Sequence, residues 1–145
     1  MLGDLPDVNV WLALSVEEHP HHGAAMDYWQ RLAAPRCCFN RVTMLGLVRL
    51  LTQPRLMGDG TLDSGAAFAV YLQWLDLPEV ELHPEPTGCH AALSTLIDAS
   101  LPPRLLTDAY LASFARAAGL RLVSFDTDFE RFGGLQFLHL RPGAA

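Results

Sequence analysis

The fold is decided by residues 107–126, whose sequence is TDAYLASFARAAGLRLVSFD. Apolar residues recur at helical spacing over 107–118, and Gly119 then occupies the position where a helix commonly ends. An apolar strand follows over 121–125 and ends directly at Asp126. The stretch therefore predicts a helix, a tight turn and a buried strand, with a carboxylate at the strand's carboxyl end.

The same alternation of helix and strand continues outward in both directions. We expect further strands at 2–7, 37–40, 80–83 and 135–140. Helices are predicted at 10–14, 21–32, 43–51, 62–75 and 89–99. Thr43 is the expected N-cap of the helix at 43–51, and Thr61 or Asp63 is the expected N-cap of the helix at 62–75. Strands that alternate with helices form a mostly parallel sheet covered on both faces. The prediction is a single α/β domain over residues 1–145, with a three-layer α/β/α arrangement.

Composition limits the class of protein. A net charge of −6 argues against a basic nucleic-acid-binding protein, although a metal-dependent nuclease concentrates carboxylates that count toward this total. The first residues contain Asp4 and Asp7 and no basic segment, and no apolar run approaches the roughly 18 residues of a membrane span. The three cysteines lack C-x-x-C spacing and are typical of reduced, buried thiols. We expect a cytoplasmic protein with no membrane partner.

Acidic residues occupy the positions where such a sheet binds ligands. Asp7 follows the first predicted strand, Asp126 follows a late one, and Asp108 lies at the start of the clearest helix. Because ligands bind at the carboxyl ends of parallel strands, we expect these three carboxylates to converge. Like charges brought together need a cation among them, and hard oxygen ligands suit Mg²⁺ or Mn²⁺. Asp128 is a further acid beside this group.

Each acid also has a purely structural interpretation. Asp108 suits the positive end of a helix dipole, and Asp126 or Asp128 suits a turn. Asp7 is harder to explain in this way, because an acid at the end of a buried strand needs a partner. Asn9 is interpreted as a helix cap rather than as a metal ligand.

Four stretches, in order, resemble the PIN domain of VapC toxins. The residues DVNVWLA at 7–13, TDAYLA at 107–112 and LVSFDTDF at 122–129 resemble its acidic motifs, and residues 40–54 resemble the second-helix segment of a VapC subgroup. The resemblance covers nearly the whole chain. It implies a Mg²⁺-dependent endoribonuclease of a type II toxin–antitoxin system, in which Asp7, Asp108 and Asp126 bind the metal and catalyse, and Asp128 is a secondary metal acid.

The resemblance also implies partners. It implies a structured RNA substrate of the tRNA or rRNA class, a VapB-like antitoxin and a homodimer. Aromatic residues on the helical stripes favour a dimer independently; they are Trp29, Phe68, Tyr71 and Trp74. The cluster His19, His21 and His22 lacks the spacing of a zinc site and is interpreted as a solvated helix start.

One position departs from the family pattern. The family usually carries Glu in Thr-x-x-Glu on the second helix, and this chain has Gly46 three residues after Thr43. Glu85, which follows a predicted strand, is the one residue considered as a replacement. Two alternatives stay open: a PIN-fold binding module whose catalysis is weakened, and a Mg²⁺-dependent phosphatase or receiver-like switch that uses the same acids.

Overall fold

A computed structural model describes residues 3–142 of the chain. Five parallel strands form one sheet in the order β3-β2-β1-β4-β5. The strands are β1 (Gly3–Pro6), β2 (Arg36–Phe39), β3 (Val80–Leu82), β4 (Arg121–Ser124) and β5 (Phe137–His139). All five predicted strands are present. Leu2, the first residue of the predicted β1, lies outside the described residues.

Seven α-helices within residues 3–142 connect and cover these strands. They are α1 (Val8–Ser15), α2 (His22–Asp27), α3 (Arg41–Leu51), α4 (Pro54–Met57), α5 (Ser64–Leu75), α6 (Cys89–Leu96) and α7 (Leu106–Ala118). The predicted helix at 21–32 is present, but its last turn, Tyr28–Leu32, is a π-helix. Short 3₁₀ turns at Pro103–Leu105 and Thr127–Arg131 flank the carboxyl end of the sheet.

Each face of the sheet carries its own apolar layer. Phe39 and Val123 pack with α1, α3 and α5 on one face, and Leu5 and Leu122 pack with α6 and α7 on the other. Adjacent β4 residues therefore point to opposite layers, as the pleat of a strand requires. The α/β/α arrangement predicted from the sequence is confirmed.

The start of α3 differs from the prediction. Asn40, not Thr43, is the N-cap: its side-chain oxygen accepts from Thr43 N at 2.9 Å, and Thr43 Oγ1 accepts from Asn40 N at 3.0 Å. Thr43 is therefore the third helical residue of a reciprocal capping box. The prediction missed this because both residue types favour helix caps.

Three of the four aromatic residues that suggested a dimer pack inside the protein. Trp29 and Trp74 both contact Trp11, with ring centroids 5.9 and 5.3 Å away. Tyr71 is buried against Phe39. Of these four aromatic residues, Phe68 alone is exposed and could contact a second copy of the protein.

A buried ion pair joins strands at the amino end of the sheet. Asp4 is fully buried, and its carboxylate accepts from Arg121 Nε at 2.8 Å and from Arg121 Nη2 at 2.9 Å. Tyr28 Oη and Ala34 N donate to the same carboxylate at 2.6 and 3.0 Å. The negative charge of Asp4 is thus compensated by a guanidinium and by two further hydrogen-bond donors of the protein itself.

The sequence also led to expectations about membrane spans and about the cysteines. Within residues 3–142, no helix has the length and apolar character needed to cross a membrane. Cys37, Cys38 and Cys89 are free thiols and are buried, as predicted.

Candidate metal centre

The direction of the strand order reverses beside β1, and the acidic residues gather there. β2 and β3 lie on one side of β1, and β4 and β5 lie on the other. Asp7 follows β1 directly, and its backbone N–H donates to Val123 O in β4 at 2.8 Å. The carboxyl ends of β1 and β4 are therefore adjacent, at the kind of switch point where open α/β sheets bind ligands.

Three carboxylates meet at this edge. Asp108, Asp126 and Asp128 each offer an oxygen, and these three oxygens all lie within 4.8 Å of one another. The predicted meeting of Asp108 with Asp126 is present. Asp128, expected as a secondary acid, belongs to this closest group, whereas Asp7 lies outside it.

Asp7 still contributes its charge to the site. Burial raises its pKa above 3.8, and the nearby Asp126 raises it further, although hydrogen bonds from Ser124 and Val8 act in the opposite direction. Its Oδ1 accepts from Val8 N at 2.8 Å as the N-cap of α1, and its Oδ2 accepts from Ser124 Oγ at 2.9 Å. No cation is among these contacts.

A polar network that the sequence analysis missed holds Asp7 in place. Ser124 Oγ donates to Asp7 and accepts from Asn9 Nδ2 at 3.1 Å and from Asp126 N at 3.0 Å. Asn9 Oδ1 in turn accepts from Phe125 N at 3.3 Å. Asn9 therefore does not cap α1, contrary to the prediction, and instead ties α1 to the end of β4. Ser124, a polar residue after the apolar Leu122 and Val123 of β4, was the feature of the sequence that could have indicated this network.

Asp126 and Asp128 are held by a short turn. Asp126 Oδ1 accepts from Asp128 N at 2.9 Å and caps the Thr127–Arg131 turn. Arg104 Nη1 donates to Asp128 Oδ2 at 2.9 Å. The turn interpretation of Asp126 and the metal interpretation are therefore compatible, because one oxygen serves the turn and the carboxylate still faces Asp108.

Asp108 has the clearest electrostatic signature. Burial first, and then the charges of Asp7, Asp126 and Asp128, raise its pKa to about 7, although Arg104 lowers it. It lies in the first turn of α7, where the helix dipole favours an anion. The raised pKa reflects the burial of Asp108 first and the neighbouring carboxylates second, and a bound cation would oppose both effects.

The donor set fits a hard divalent cation. Oxygen ligands without nitrogen or sulfur are the ligands that Mg²⁺ and Mn²⁺ prefer. Asp108, Asp126 and Asp128 would hold such an ion, with Asp7 adjacent. Oxygens that share one cation at about 2.1 Å lie at most about 4.2 Å apart, so these oxygens, all within 4.8 Å of one another, would need only a small movement to share one ion.

Comparison with known proteins agrees with this geometry. Residues 5–135 match the PIN domain family. The chain is 36% identical to Ribonuclease VapC41 of Mycobacterium tuberculosis over 138 residues, 91% of this chain and 94% of that protein. It is 31% identical to Ribonuclease VapC38 of the same organism over 129 residues, 84% of each. The chain belongs to the VapC family of PIN-domain proteins.

A VapC structure shows the same fold. The crystal structure of Mycobacterium tuberculosis VapC20, described as a sarcin-ricin loop cleaving toxin, matches with a TM-score of 0.67 at 21% identity. The match covers 95% of this chain and 98% of that one. The predicted PIN-like fold is therefore confirmed.

At Gly46, where the family resemblance predicts Glu, the space beside the backbone is occupied by a valine. A Cβ at Gly46 would lie 2.6 Å from Val8 Cγ2 and 3.3 Å from Val8 Cγ1. The side chain of Val8, the residue after Asp7, therefore fills the space beside Gly46. Glu85 does not replace the missing acid: it accepts from Tyr110 Oη at 2.6 Å and is not one of the grouped carboxylates.

A cleft of about 1080 Å³ opens beside the acids of this VapC protein. Asn9 and Asp126 border it, and its wall includes Leu12, Val16, Leu56, Met57 and Phe125. His19 and His21 also line it, and the His21 ring stacks on Phe125 with centroids 5.0 Å apart. α2 begins at His22 with His21 as its N-cap, so the predicted helix start is present, and the half-exposed rings of His19 and His21 face the cleft.

Proposed function

We propose that the chain is a metal-dependent endoribonuclease and the toxin of a type II toxin–antitoxin pair. The observation that carries this proposal is the group of Asp108, Asp126 and Asp128 at the carboxyl edge of the sheet, with Asp7 beside it. Membership of the VapC family, whose curated relatives are named ribonucleases, supports the RNA substrate. A single domain over residues 1–145 carries the activity.

The proposed roles of the residues follow from their surroundings. Asp108, Asp126 and Asp128 hold a Mg²⁺ or Mn²⁺ ion, and Asp7 adds negative charge on the α1 side. When bound, such a cation stabilises the charge that develops on phosphate oxygens during hydrolysis. Ser124 and Asn9 keep Asp7 oriented toward the site through hydrogen bonds of 2.9 and 3.1 Å. Asp7, Asp108 and Asp126 are the residues proposed as catalytic.

An RNA cleavage assay with a matched variant tests this proposal. The purified protein is incubated with a tRNA and rRNA pool in Mg²⁺, in Mn²⁺ and in EDTA. Asp108→Asn keeps the side-chain shape but removes a charged ligand, so cleavage is expected to fall at least about 100-fold. Cleavage that persists in EDTA, or an Asp108→Asn variant as active as the wild type, would contradict the metal site proposed here.

The closed α3 position supports a second candidate function. With Gly46 in place of an acid, the protein would hold RNA or antitoxin without cutting. A wild type that binds the RNA pool but cleaves none of it in any metal would establish this binding module. Hydrolysis of a small phosphoester without RNA cleavage would instead favour a phosphatase.

We further propose a VapB-like antitoxin as the partner. Structural neighbours at TM-scores of 0.62 to 0.64 include VapBC complexes of Salmonella typhimurium and Haemophilus influenzae. The cleft wall is apolar, and Glu18 and Asp59 border it, which suits an amphipathic segment that carries arginine. The expected result is loss of RNA cleavage when a VapB-like protein that binds this chain is added, and cleavage that persists in the complex would contradict the proposal.

We also propose a homodimer, based on two exposed apolar residues of α5 rather than on the four aromatic residues considered in the sequence. Phe68 and Leu72 lie one helical turn apart on α5, and each exposes more than two fifths of its surface. Such exposed apolar residues favour contact with a second copy. Light scattering of the purified chain at micromolar concentration is expected to give the mass of two chains, and a clean monomer would contradict the proposal.

A further inference from the structure

One arginine lies beside the carboxylate group without being part of it. Arg104 Nη1 donates to Asp128 Oδ2 at 2.9 Å, and two thirds of the Arg104 side chain is exposed. Arg104 is in the Pro103–Leu105 turn, four residues before Asp108, and its charge is near enough to lower the pKa of Asp108. It therefore connects the start of α7 to the turn that follows β4.

This contact completes the immobilisation of Asp128. The backbone of Asp128 is already fixed, because its N–H donates to Asp126 Oδ1 at 2.9 Å. Its side chain would otherwise rotate in water, since about a third of it is exposed. The Arg104 contact uses one carboxylate oxygen, and a carboxylate has a second oxygen with which to bind a cation.

The fixed position matters because the α3 side contributes no acid. Val8 fills the space beside Gly46, so a third close carboxylate has to come from elsewhere. Asp128 is that carboxylate in the group with Asp108 and Asp126. We propose that Arg104 is a positioning residue that holds Asp128 as a direct ligand of the divalent cation, in place of the acid that α3 lacks. This inference rests on the metal site of the proposed function.

A second effect of Arg104, electrostatic repulsion, would change the affinity for the metal ion in the opposite direction. A guanidinium repels a bound cation, so an arginine that merely competes for Asp128 would weaken metal binding. At an exposed site this repulsion is screened by water and salt, whereas a fixed ligand reduces the entropy lost on binding. We therefore expect positioning to dominate, and removal of Arg104 to weaken metal binding.

The test measures Mn²⁺ affinity of the whole chain without RNA, by electron paramagnetic resonance of free Mn²⁺. Arg104→Gln is expected to weaken binding about threefold, the size typical of an exposed charge contact. Asp128→Asn is expected to weaken binding at least about tenfold. Arg131→Gln is the matched control: Arg131 is exposed on the same turn as Asp128, and no hydrogen bond joins it to the acids. It should leave affinity unchanged.

A double variant separates positioning from general loss of charge. If Arg104 acts through Asp128, Arg104→Gln has no further effect once Asp128→Asn is present. Unchanged or tighter Mn²⁺ binding by Arg104→Gln would overturn the proposal, as would an Asp128→Asn variant with wild-type affinity. These measurements involve no RNA, so a protein that binds Mn²⁺ as expected but cleaves nothing would refute the proposed function and leave this inference standing.

Discussion

Asp4 and Asp7 lie near opposite ends of the same short strand, and the protein treats their charges in opposite ways. Asp4 receives four hydrogen bonds, two of them from the Arg121 guanidinium. Asp7 receives hydrogen bonds from neutral donors, Val8 N and Ser124 Oγ, and lies near the charges of Asp108 and Asp126. A buried acid paired with its own cation belongs to the stability of the fold. At the other end of the strand the described contacts place one arginine, Arg104, beside a group of four acids, an arrangement that suits a cation from outside.

The comparison is sharpest when each acid is neutralised in turn. Asp4→Asn leaves Arg121 without its anion, so the free energy of unfolding is expected to fall by about 3 kcal/mol. Asp7→Asn keeps an oxygen for Val8 N and removes a repelling charge, so stability at pH 8 without metal should be unchanged or higher. Urea unfolding of both variants measures the difference.

Metal binding should give the reverse order for the same two variants. Under native conditions Asp4→Asn is expected to bind Mn²⁺ as the wild type does, and Asp7→Asn to bind it more weakly. Equal losses of stability in the two variants would mean that Asp7 is a structural acid like Asp4, and the contrast between the two ends of β1 would be lost.

Adding an acid from α3 would sharpen the contrast further. Gly46→Ala in an open helix would gain about 1 kcal/mol, but its Cβ meets Val8 Cγ2 at 2.6 Å, so we expect a net loss of about 1–2 kcal/mol. Val8→Ala removes the two close methyl groups and leaves the Val8 Cβ at an ordinary 3.5 Å. The cost of Gly46→Ala should therefore largely disappear in the Val8→Ala background.

The space beside residue 46 also determines whether a glutamate at that position can contribute to metal binding. In Val8→Ala/Gly46→Glu the added carboxylate is expected to tighten Mn²⁺ binding several-fold, whereas Gly46→Glu alone is expected to be poorly folded. Isothermal titration with Mn²⁺ on Val8→Ala and on the double variant measures the gain. A double variant that folds but binds Mn²⁺ no more tightly would place position 46 outside the reach of the site.

The smallest expected effect is a pH-dependent difference in stability. The pKa of Asp108 is raised from 3.8 to about 7 in the folded protein, so its neutral form is favoured by folding. The contribution of Asp108 to stability is therefore present below about pH 4 and is lost as the pH rises through 7. Without metal, Asp108→Asn should exceed the wild type in stability at pH 8, on the order of 1 kcal/mol given its partial exposure.

The control for this prediction is the same pair of proteins at pH 5, where the difference should shrink. Adding Mg²⁺ at pH 8 should stabilise the wild type and have little effect on Asp108→Asn. Thermal unfolding in EDTA and in Mg²⁺ measures both. A wild type that exceeds Asp108→Asn in stability at pH 8 without metal would mean that the acidic edge carries no uncompensated charge.

Local patterns in the sequence were sufficient to predict the layers and the acidic edge. The helical spacing over 107–118 and the apolar strands predicted a parallel sheet covered on both faces. Because parallel strands end at one edge, Asp108 and Asp126 could be expected to meet. These predictions succeed because periodicity and strand direction are properties of short segments.

Contacts between distant segments could not be predicted in this way. Ser124 bonds Asp7 and Asn9 across more than a hundred residues of chain, and Arg121 pairs with Asp4 over a similar separation. No spacing in the sequence indicates which serine or arginine will lie opposite a given acid. The filling of the space beside Gly46 by Val8 is a third case, because it depends on how α1 and α3 pack.

A crystal structure of the protein soaked with Mn²⁺, with the ion located by its anomalous scattering, tests the central claim most directly. We expect a peak among the carboxylates of Asp108, Asp126 and Asp128, with oxygen distances of about 2.1–2.2 Å, and no peak at Asp4. The same soak of Asp108→Asn should lose the peak or weaken it strongly. A wild-type crystal with no ion at the acidic edge, or with its ion bound elsewhere, would contradict the account.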